Sequence, residues 1–307
     1  MQIAVLRNPG SSGNAGRAEP EVPHGVTAIA LTGIEALPRT LHDLARQKVE
    51  LLVIDGGDGT VREILSQLTE IFGDHLPMIG IMVRGNTNLV ARKLGQVSGY
   101  DALAGWVERP ASDLATHARL APLLRIDGLR EGPLRGFIAG WGAYAAGTRI
   151  AVEEISARGG RQVIRAVLAV LRRVLVGREA GALQAGVDVR VSPSEHPAFN
   201  GAGFSGMMTV LEGRLVAGLS PFWGTGRGAI RWTYIAAPPR RLALAAPFLA
   251  FGRPMGWMRR AGYASGRSAT LELNVAGGLV VDGEIFPTRP DQRLEIRADE
   301  MVRIVAL

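Results

Sequence analysis

The chain has 307 residues, of which 47% are hydrophobic and 21% charged, the composition of a folded protein of about two domains. It contains no cysteine, which excludes disulfide bonds, thiol nucleophiles and cysteine-based zinc sites. The net charge of +7 rests almost entirely on arginine, since Lys48 and Lys93 are the only lysines. Neither lysine lies in a Walker A loop, so that class of nucleotide site is excluded.

Four short apolar runs in the first third of the chain predict β-strands, at residues 3–6, 26–31, 49–54 and 78–83. A helix is predicted after the second run, with Leu37, Leu41 and Leu44 on one face, and another after the third run. A short helix is predicted over residues 89–94. Apolar strands that alternate with helices indicate a parallel sheet covered on both faces.

From about residue 120 the pattern changes to many short strands separated by glycine- or proline-bearing turns, which indicates an antiparallel sandwich or barrel. Helices are predicted over residues 162–176 and 242–251. The predicted strands of this part are 123–126, 136–139, 187–192, 204–211, 229–237, 269–275, 279–281, 293–296 and 302–306. The expected domains are an α/β domain over 1–121 and a strand domain over 122–297, with 298–307 returning to the first.

The sequence DGGDGT, at residues 55–60, is the strongest motif. A glycine-rich turn between a strand and a helix presents bare amides to an anion such as a phosphate. Asp58 suits such a site if a divalent cation lies between the carboxylate and the phosphate; the alternative is that Asp58 only caps the helix. Thr60 and Glu63 also fit a capping box, which predicts Thr60 as the N-cap.

Two further loops and one acidic cluster complete the candidate site. The loops at 8–14 and 85–88 also follow predicted parallel strands and would meet the DGGDGT turn at one edge of the sheet. Asp282 and Glu284 flank Gly283 at the end of an apolar strand, where a carboxylate can act as a general base. The alternative interpretation is an ordinary solvated Asp-Gly turn.

The order NPGSSG, VIDGGDGTVREIL and VDGEIFP resembles the diacylglycerol kinase catalytic family, which includes bacterial YegS-like lipid kinases, sphingosine kinases and ceramide kinases. The resemblance implies a Rossmann-like α/β nucleotide domain, a C-terminal antiparallel β-sandwich and an active site in the cleft between the domains. It implies ATP and Mg²⁺ as cofactors and a lipid hydroxyl as acceptor, in diacylglycerol, a sphingoid base or ceramide. Glu284 would be the general base, and Asp58 would act with the metal in catalysis.

The other roles that the resemblance implies are binding of nucleotide and of metal. The metal residues are Asp58, Asp127 and Asp282. The nucleotide residues are Asn8, Ser12, Gly13, Gly56, Gly57, Gly59, Thr60, Glu63, Gly85, Asn86, Thr87 and Asn88. Arg62 and Asn86 depart from the family's usual asparagine and threonine at these places. A kinase of a soluble acceptor such as NAD, and a non-catalytic nucleotide- or membrane-binding member, remain alternatives.

The basic surplus suits phosphates, an anionic membrane or nucleic acid, although arginine spread over a solvated surface explains it equally well. No nucleic-acid recognition motif is visible, so no nucleic-acid partner is expected; the sequence leaves the oligomeric state open. The N-terminus has no apolar leader, and the most apolar late stretch, residues 242–252, is shorter than the roughly 20 residues of a membrane span. The expected location is cytoplasmic, peripheral to the inner face of the membrane.

Overall fold

The computed structural model describes residues 1–83, 89–148, 172, 180–215 and 218–307. The chain divides into two compact units. The first unit comprises Met1–Ala121 and Met301–Leu307, and the second comprises Pro122–Glu300.

The first unit is built on a parallel sheet. Its elements are β1 (Ile3–Arg7), β2 (Val26–Ala30), a 3-10 turn (Ile34–Ala36), α1 (Leu37–Arg46), β3 (Leu51–Gly56), α2 (Asp58–Phe72), β4 (Met78–Val83), α3 (Leu89–Leu94), α4 (Asp101–Ala104) and α5 (Ala111–Ala115). The strand order is β2-β1-β3-β4, and Ile304 and Val305 of the last strand pair with β4. Every pairing is parallel.

Continuous apolar runs explain the central strands of this sheet. All residues of β1 and β3 are buried, as expected for strands covered on both faces. Helix α1 buries Leu37, Leu41 and Leu44, which lie on one side of a helix because they are three or four residues apart. The predicted parallel sheet and the predicted face of α1 are therefore confirmed.

The second unit is built from antiparallel strands. Its elements begin with β5 (Ala118–Asp127), which starts in the first unit, and continue with β6 (Leu134–Gly136), β7 (Ile138–Gly142), α6 (Ala180–Ala185), β8 (Val187–Pro193), β9 (Phe199–Thr209), β10 (Ile230–Ala236), α7 (Leu242–Ala250), α8 (Gly256–Arg260), β11 (Tyr263–Ser268), β12 (Thr270–Val275), β13 (Leu279–Val281), β14 (Glu284–Phe286) and β15 (Leu294–Val305). Strand β9 pairs with β7, β8 and β10, and β12 pairs with β8 and the first residues of β15. An α/β unit followed by an antiparallel strand unit confirms the predicted fold class.

Several boundaries of the second unit differ from prediction. The predicted strand at 136–139 is interrupted at Phe137, and the strands predicted at 293–296 and 302–306 are one strand, β15. Strands β11 and β14 were not predicted. The sequence of β11 contains small and polar residues, but a Cβ at Gly266 would lie 2.4 Å from the Trp232 ring, so this glycine makes room for a core side chain.

The helix predicted over 242–251 is confirmed as α7, whereas the helix predicted over 162–176 lies outside the described residues. Within the described part of the chain, no helix is both long and apolar enough to cross a bilayer.

Candidate functional site

The DGGDGT turn lies at the carboxyl end of β3. Asp55 and Gly56 still belong to the strand, Gly57 is the N-cap and the helix begins at Asp58. The predicted capping box is therefore wrong, because Thr60 lies inside the first turn of α2. Its side chain lies over the preceding strand instead, where a Cβ at Gly56 would be 2.8 Å from the Thr60 Cβ.

The Thr60 hydroxyl joins two of the predicted loops. It accepts a hydrogen bond of 2.8 Å from the Asn8 side-chain amide, and the backbone amide of Asn8 donates to the carbonyl of Asp55. The Asn8 side-chain oxygen accepts from the amide of Gly10 at 2.9 Å, which turns the chain directly after β1. The structure thus brings the loop after β1 and the loop after β3 together, as the parallel sheet predicts.

The start of α2 can bind an anion. The first helical hydrogen bond runs from the amide of Val61 to the carbonyl of Gly57, so the amides of Asp58, Gly59 and Thr60 have no acceptor within the helix. These amides and the positive end of the helix dipole favour a phosphate. Asp58 at the first position adds a carboxylate, which suits a phosphate that carries a divalent cation.

A buried polar network that sequence analysis missed supports these loops. Asp55 is 1% exposed, and its carboxylate accepts from the Tyr100 hydroxyl at 2.9 Å and from the Asn14 side chain at 3.1 Å. The guanidinium of Arg7 lies 3.7 Å away. Asn14 also donates to the carbonyl of Asn8 at 3.0 Å, so the Asp55 network holds the loop that carries Asn8.

The other residues predicted to bind nucleotide differ in their exposure and contacts. Ser12 is exposed and Gly13 half-buried in the first loop. Glu63, in the first turns of α2, accepts from the buried guanidinium of Arg62 at 2.6 Å. The third predicted loop, residues 85–88, lies outside the described residues.

No three histidine or acidic residues of the described chain cluster as a self-contained metal site. A magnesium ion bound largely by nucleotide phosphates requires only one or two protein carboxylates. In the first unit, Asp58 is the residue predicted to supply such a carboxylate.

The second predicted acidic cluster is a tight hairpin between β13 and β14. Val281 pairs with Glu284, and the two residues between them have positive φ, 47° at Asp282 and 96° at Gly283. Asp-Gly with positive φ at both positions is typical of a two-residue type I′ turn, whose twist matches the flanking strands. The turn is therefore confirmed.

Asp282 is not the solvated residue that the alternative interpretation of this turn expects. Its carboxylate is half-buried and accepts from the backbone amides of Phe137, at 3.1 Å, and Ile138, at 2.9 Å. These bonds attach the hairpin tip to the start of β7. Desolvation raises the pKa of the nearby Tyr144 phenol, and the Asp282 charge raises it further.

Glu284 follows directly as the first residue of β14, and its side chain is exposed. The fixed turn before it sets the direction in which the strand presents this carboxylate. An exposed carboxylate on a fixed backbone is able to accept a proton from a bound hydroxyl.

Asp127, at the end of β5, lies in an ion-pair network. Its carboxylate accepts from Arg125 at 3.0 Å and from Arg297 at 3.0 Å. Glu300 binds Arg125 and forms a bidentate pair with the buried Arg135. Hydrogen bonds to Asp127 and then Glu300 raise the pKa of Arg125 further above its usual value. Two guanidinium groups at one carboxylate disfavour binding of a further cation. Asp127 is therefore the least suited of the three predicted metal residues to bind a metal ion.

Gly136 provides a test of how tightly the hairpin is held. A Cβ at Gly136 would lie 2.6 Å from Oδ2 of Asp282, so Gly136→Ala is expected to lower the free energy of unfolding by about 1–3 kcal/mol. Urea titration measures this loss. Gly181→Ala is the matched control, because a Cβ there meets open space; an equal loss in both variants would contradict the assigned contact.

Residues 3–116 match the family described as diacylglycerol kinase catalytic domain. This similarity covers most of the first unit and none of the second. No curated protein matches the sequence.

Solved structures from Bacillus anthracis str. Sterne are similar in fold to this chain. Two are of candidate diacylglycerol kinases, with TM-scores of 0.63 and 0.60 at 12% and 13% identity. A third, of a diacylglycerol kinase, has a TM-score of 0.57 at 11% identity. Each match covers 100% of this chain and 97% of the other. The likeness therefore extends over both units, beyond the residues that the family match covers.

Proposed function

We propose that this protein is an ATP- and Mg²⁺-dependent lipid kinase that transfers the γ-phosphate of ATP to a lipid hydroxyl. The observation that supports the proposal is the start of α2, where three amides and Asp58 lie together within the residues that match the diacylglycerol kinase catalytic domain family. The acceptor in the proposal is diacylglycerol, a sphingoid base or ceramide, taken up at the inner face of the membrane.

The proposed nucleotide site lies in the first unit. The amides of Asp58, Gly59 and Thr60 would bind phosphate oxygens, and Asn8 would hold the loop that faces them. Asp58 would be the protein ligand of a magnesium ion, with Asp282 and Asp127 as the other predicted metal residues. These carboxylates would hold a Mg²⁺ ion whose charge would offset that of the phosphates.

The proposed chemistry assigns the proton to Glu284. The acceptor hydroxyl oxygen forms a bond to the γ-phosphorus while the bond from that phosphorus to the β,γ-bridging oxygen breaks, and ADP leaves. Glu284 accepts the hydroxyl proton as the new bond forms. Glu284 is exposed on β14, and the fixed turn at Asp282 lowers the cost of positioning its side chain.

The test is transfer from γ-labelled ATP, with Mg²⁺, to mixed micelles that each contain diacylglycerol, monoacylglycerol, sphingosine or ceramide. NAD serves as the soluble acceptor. Label in one lipid is the expected result and identifies the acceptor. Label only in NAD would replace the proposal by a soluble-acceptor kinase. ATP binding without transfer to any acceptor would favour a non-catalytic member.

A further inference from the structure

The positive charge of this chain is concentrated in one segment. Between Glu212 and Glu272 there are nine arginines and no acidic residue, whereas the rest of the chain has 26 basic and 28 acidic residues. Arginine spread evenly over a solvated surface does not produce this distribution. The excess of positive charge, which suggested a polyanionic partner, therefore lies wholly in the second unit.

The same segment exposes large apolar side chains. Leu244 is 54% exposed, Phe251 59% and Met255 45%, so three of the eight large exposed hydrophobic residues found among the described residues lie within twelve positions. A cluster of this kind on a soluble surface marks a contact with a partner or a membrane.

Helix geometry separates a buried face of α7 from an exposed one. Leu242 and Ala245 are buried, and Leu249 packs partly against the same core cluster. Leu244 and Phe251, the residue that caps the end of α7, are seven positions apart, which is about two helical turns. Both therefore lie on the side of α7 opposite the buried one. The apolar side chains at 244 and 251 are therefore directed away from the core.

Helix α8 extends this surface. Trp257 and Met258 pack in the same core cluster as Leu242 and Ala245, and the Arg241 guanidinium lies 5.8 Å from the centre of the Trp257 ring. We define the 240–260 surface by the exposed side chains of the α7–α8 segment. They are Arg240, Arg241, Leu244, Phe251, Arg253, Met255, Arg259 and Arg260.

None of the five arginines in this surface forms an ion pair with a carboxylate of the described residues. Their charge is therefore available to an external anion. A partner must meet exposed aliphatic groups and a positive rim together, which matches the interface of a bilayer that contains anionic lipids. Nucleic acid supplies the anion but no apolar layer for Leu244 and Met255.

We infer that the 240–260 surface docks the protein on an anionic membrane, with Leu244, Phe251 and Met255 entering the interface and the arginines contacting lipid phosphates. Helix α7, at nine residues, is too short to span a bilayer and lies in its surface. The inference extends the proposed function by naming the docking surface. It does not depend on catalysis, since docking requires neither nucleotide nor acceptor.

The test is co-sedimentation of the full chain with vesicles of phosphatidylcholine alone and of phosphatidylcholine with phosphatidylglycerol in equal amounts. We expect binding to the mixed vesicles that weakens with salt. Arg259→Gln with Arg260→Gln should reduce it about twenty-five-fold, at roughly fivefold for each charge near the surface. Leu244→Ser with Phe251→Ser should reduce it more than about tenfold by removing buried apolar area.

Two control variants match these changes. Ile34→Ser alters an equally exposed apolar residue of the first unit, and Arg289→Gln with Arg293→Gln removes two exposed charges of the second unit. Both are expected to bind as the unchanged protein does. The inference is overturned by no binding to mixed vesicles, by equal binding to neutral vesicles, or by equal losses in test and control variants. It is also overturned if the arginine pair governs capture of an oligonucleotide but not of vesicles.

The docking result and the kinase result can be told apart. Transfer to a dispersed short-chain diacylglycerol does not require a vesicle, so both surface variants should retain it. Transfer without vesicle binding would overturn the docking surface and leave the kinase intact. Vesicle binding that depends on this surface in a protein without transfer to any acceptor would leave docking intact and overturn the kinase.

Discussion

Asp58→Asn and Glu284→Gln are each expected to reduce phosphate transfer at least about a hundredfold in a protein that stays folded. General-base and electrostatic contributions of single groups are of this size. Both changes keep the shape of the side chain. Asp58 is half-buried at the start of α2 and Glu284 is exposed on β14, so the expected loss of stability is small, about 0.3–1 kcal/mol for the helix-dipole contribution of Asp58.

The two variants should differ in how activity is lost. In the proposed mechanism Asp58 is the magnesium ligand, so the Mg²⁺ concentration that gives half-maximal rate should rise when its carboxylate is removed. Without the Glu284 carboxylate the proton has no acceptor, so kcat should fall while the KM for ATP stays unchanged. Steady-state kinetics at varied Mg²⁺ and ATP separate these outcomes.

Matched controls exist for both residues. Asp74 lies exposed just past the other end of α2, and Glu131 is an exposed glutamate of the second unit. Asp74→Asn and Glu131→Gln remove the same charges and should retain full transfer. Turnover near that of the unchanged protein in Asp58→Asn or Glu284→Gln would refute the role of that residue, and losses shared with the controls would indicate a general charge effect.

The elements that sequence analysis predicted well are those governed by local pattern. Strands β1 and β3 are continuous apolar runs, and the buried leucines of α1 follow helical spacing. The hairpin turn at Asp282 and Gly283 was also predictable, because few residues tolerate positive φ at both positions. In each case residues close in sequence determine the conformation.

The predictions that failed depend on partners distant in sequence. Thr60 looked like an N-cap, yet its hydroxyl binds Asn8, 52 residues earlier. Asp282 suited a solvated turn as well as a functional carboxylate, but the amides of Phe137 and Ile138 bind it from about 145 positions away. A single sequence does not contain these pairings, since they arise only when the sheets form.

Asp55 is the most instructive omission. It looked like the first residue of a polar loop, whereas it is the last residue but one of the buried strand β3. The sequence did contain a signal for this burial, since Asp55 directly follows four apolar residues. A charge at a buried position requires a partner, so the pattern indicates that Asp55 is paired. The partners Arg7, Asn14 and Tyr100 come from three other segments.

Asp55→Ala is accordingly expected to cost about 3–5 kcal/mol of stability in the first unit. Removing this carboxylate leaves the Arg7 guanidinium, which is 8% exposed, as a buried charge without its counter-ion. Breaking a buried ion pair by removing one partner lowers stability by about 3–5 kcal/mol. Hydrogen exchange of the β1 and β3 amides measures the effect, with the β8 and β9 amides as an internal reference. Asp43→Ala is the control, since it removes an exposed pair with Arg46 worth about 0–1 kcal/mol.

A double variant identifies the cause of the loss. If the stranded Arg7 charge destabilises Asp55→Ala, then Arg7→Met with Asp55→Ala should be more stable than Asp55→Ala alone, because the buried charge is gone. If the lost hydrogen bonds of Tyr100 and Asn14 dominate instead, the double variant will be no more stable. Because Asn14 also binds the carbonyl of Asn8, either variant should raise the KM for ATP, which links this buried carboxylate to the proposed nucleotide site.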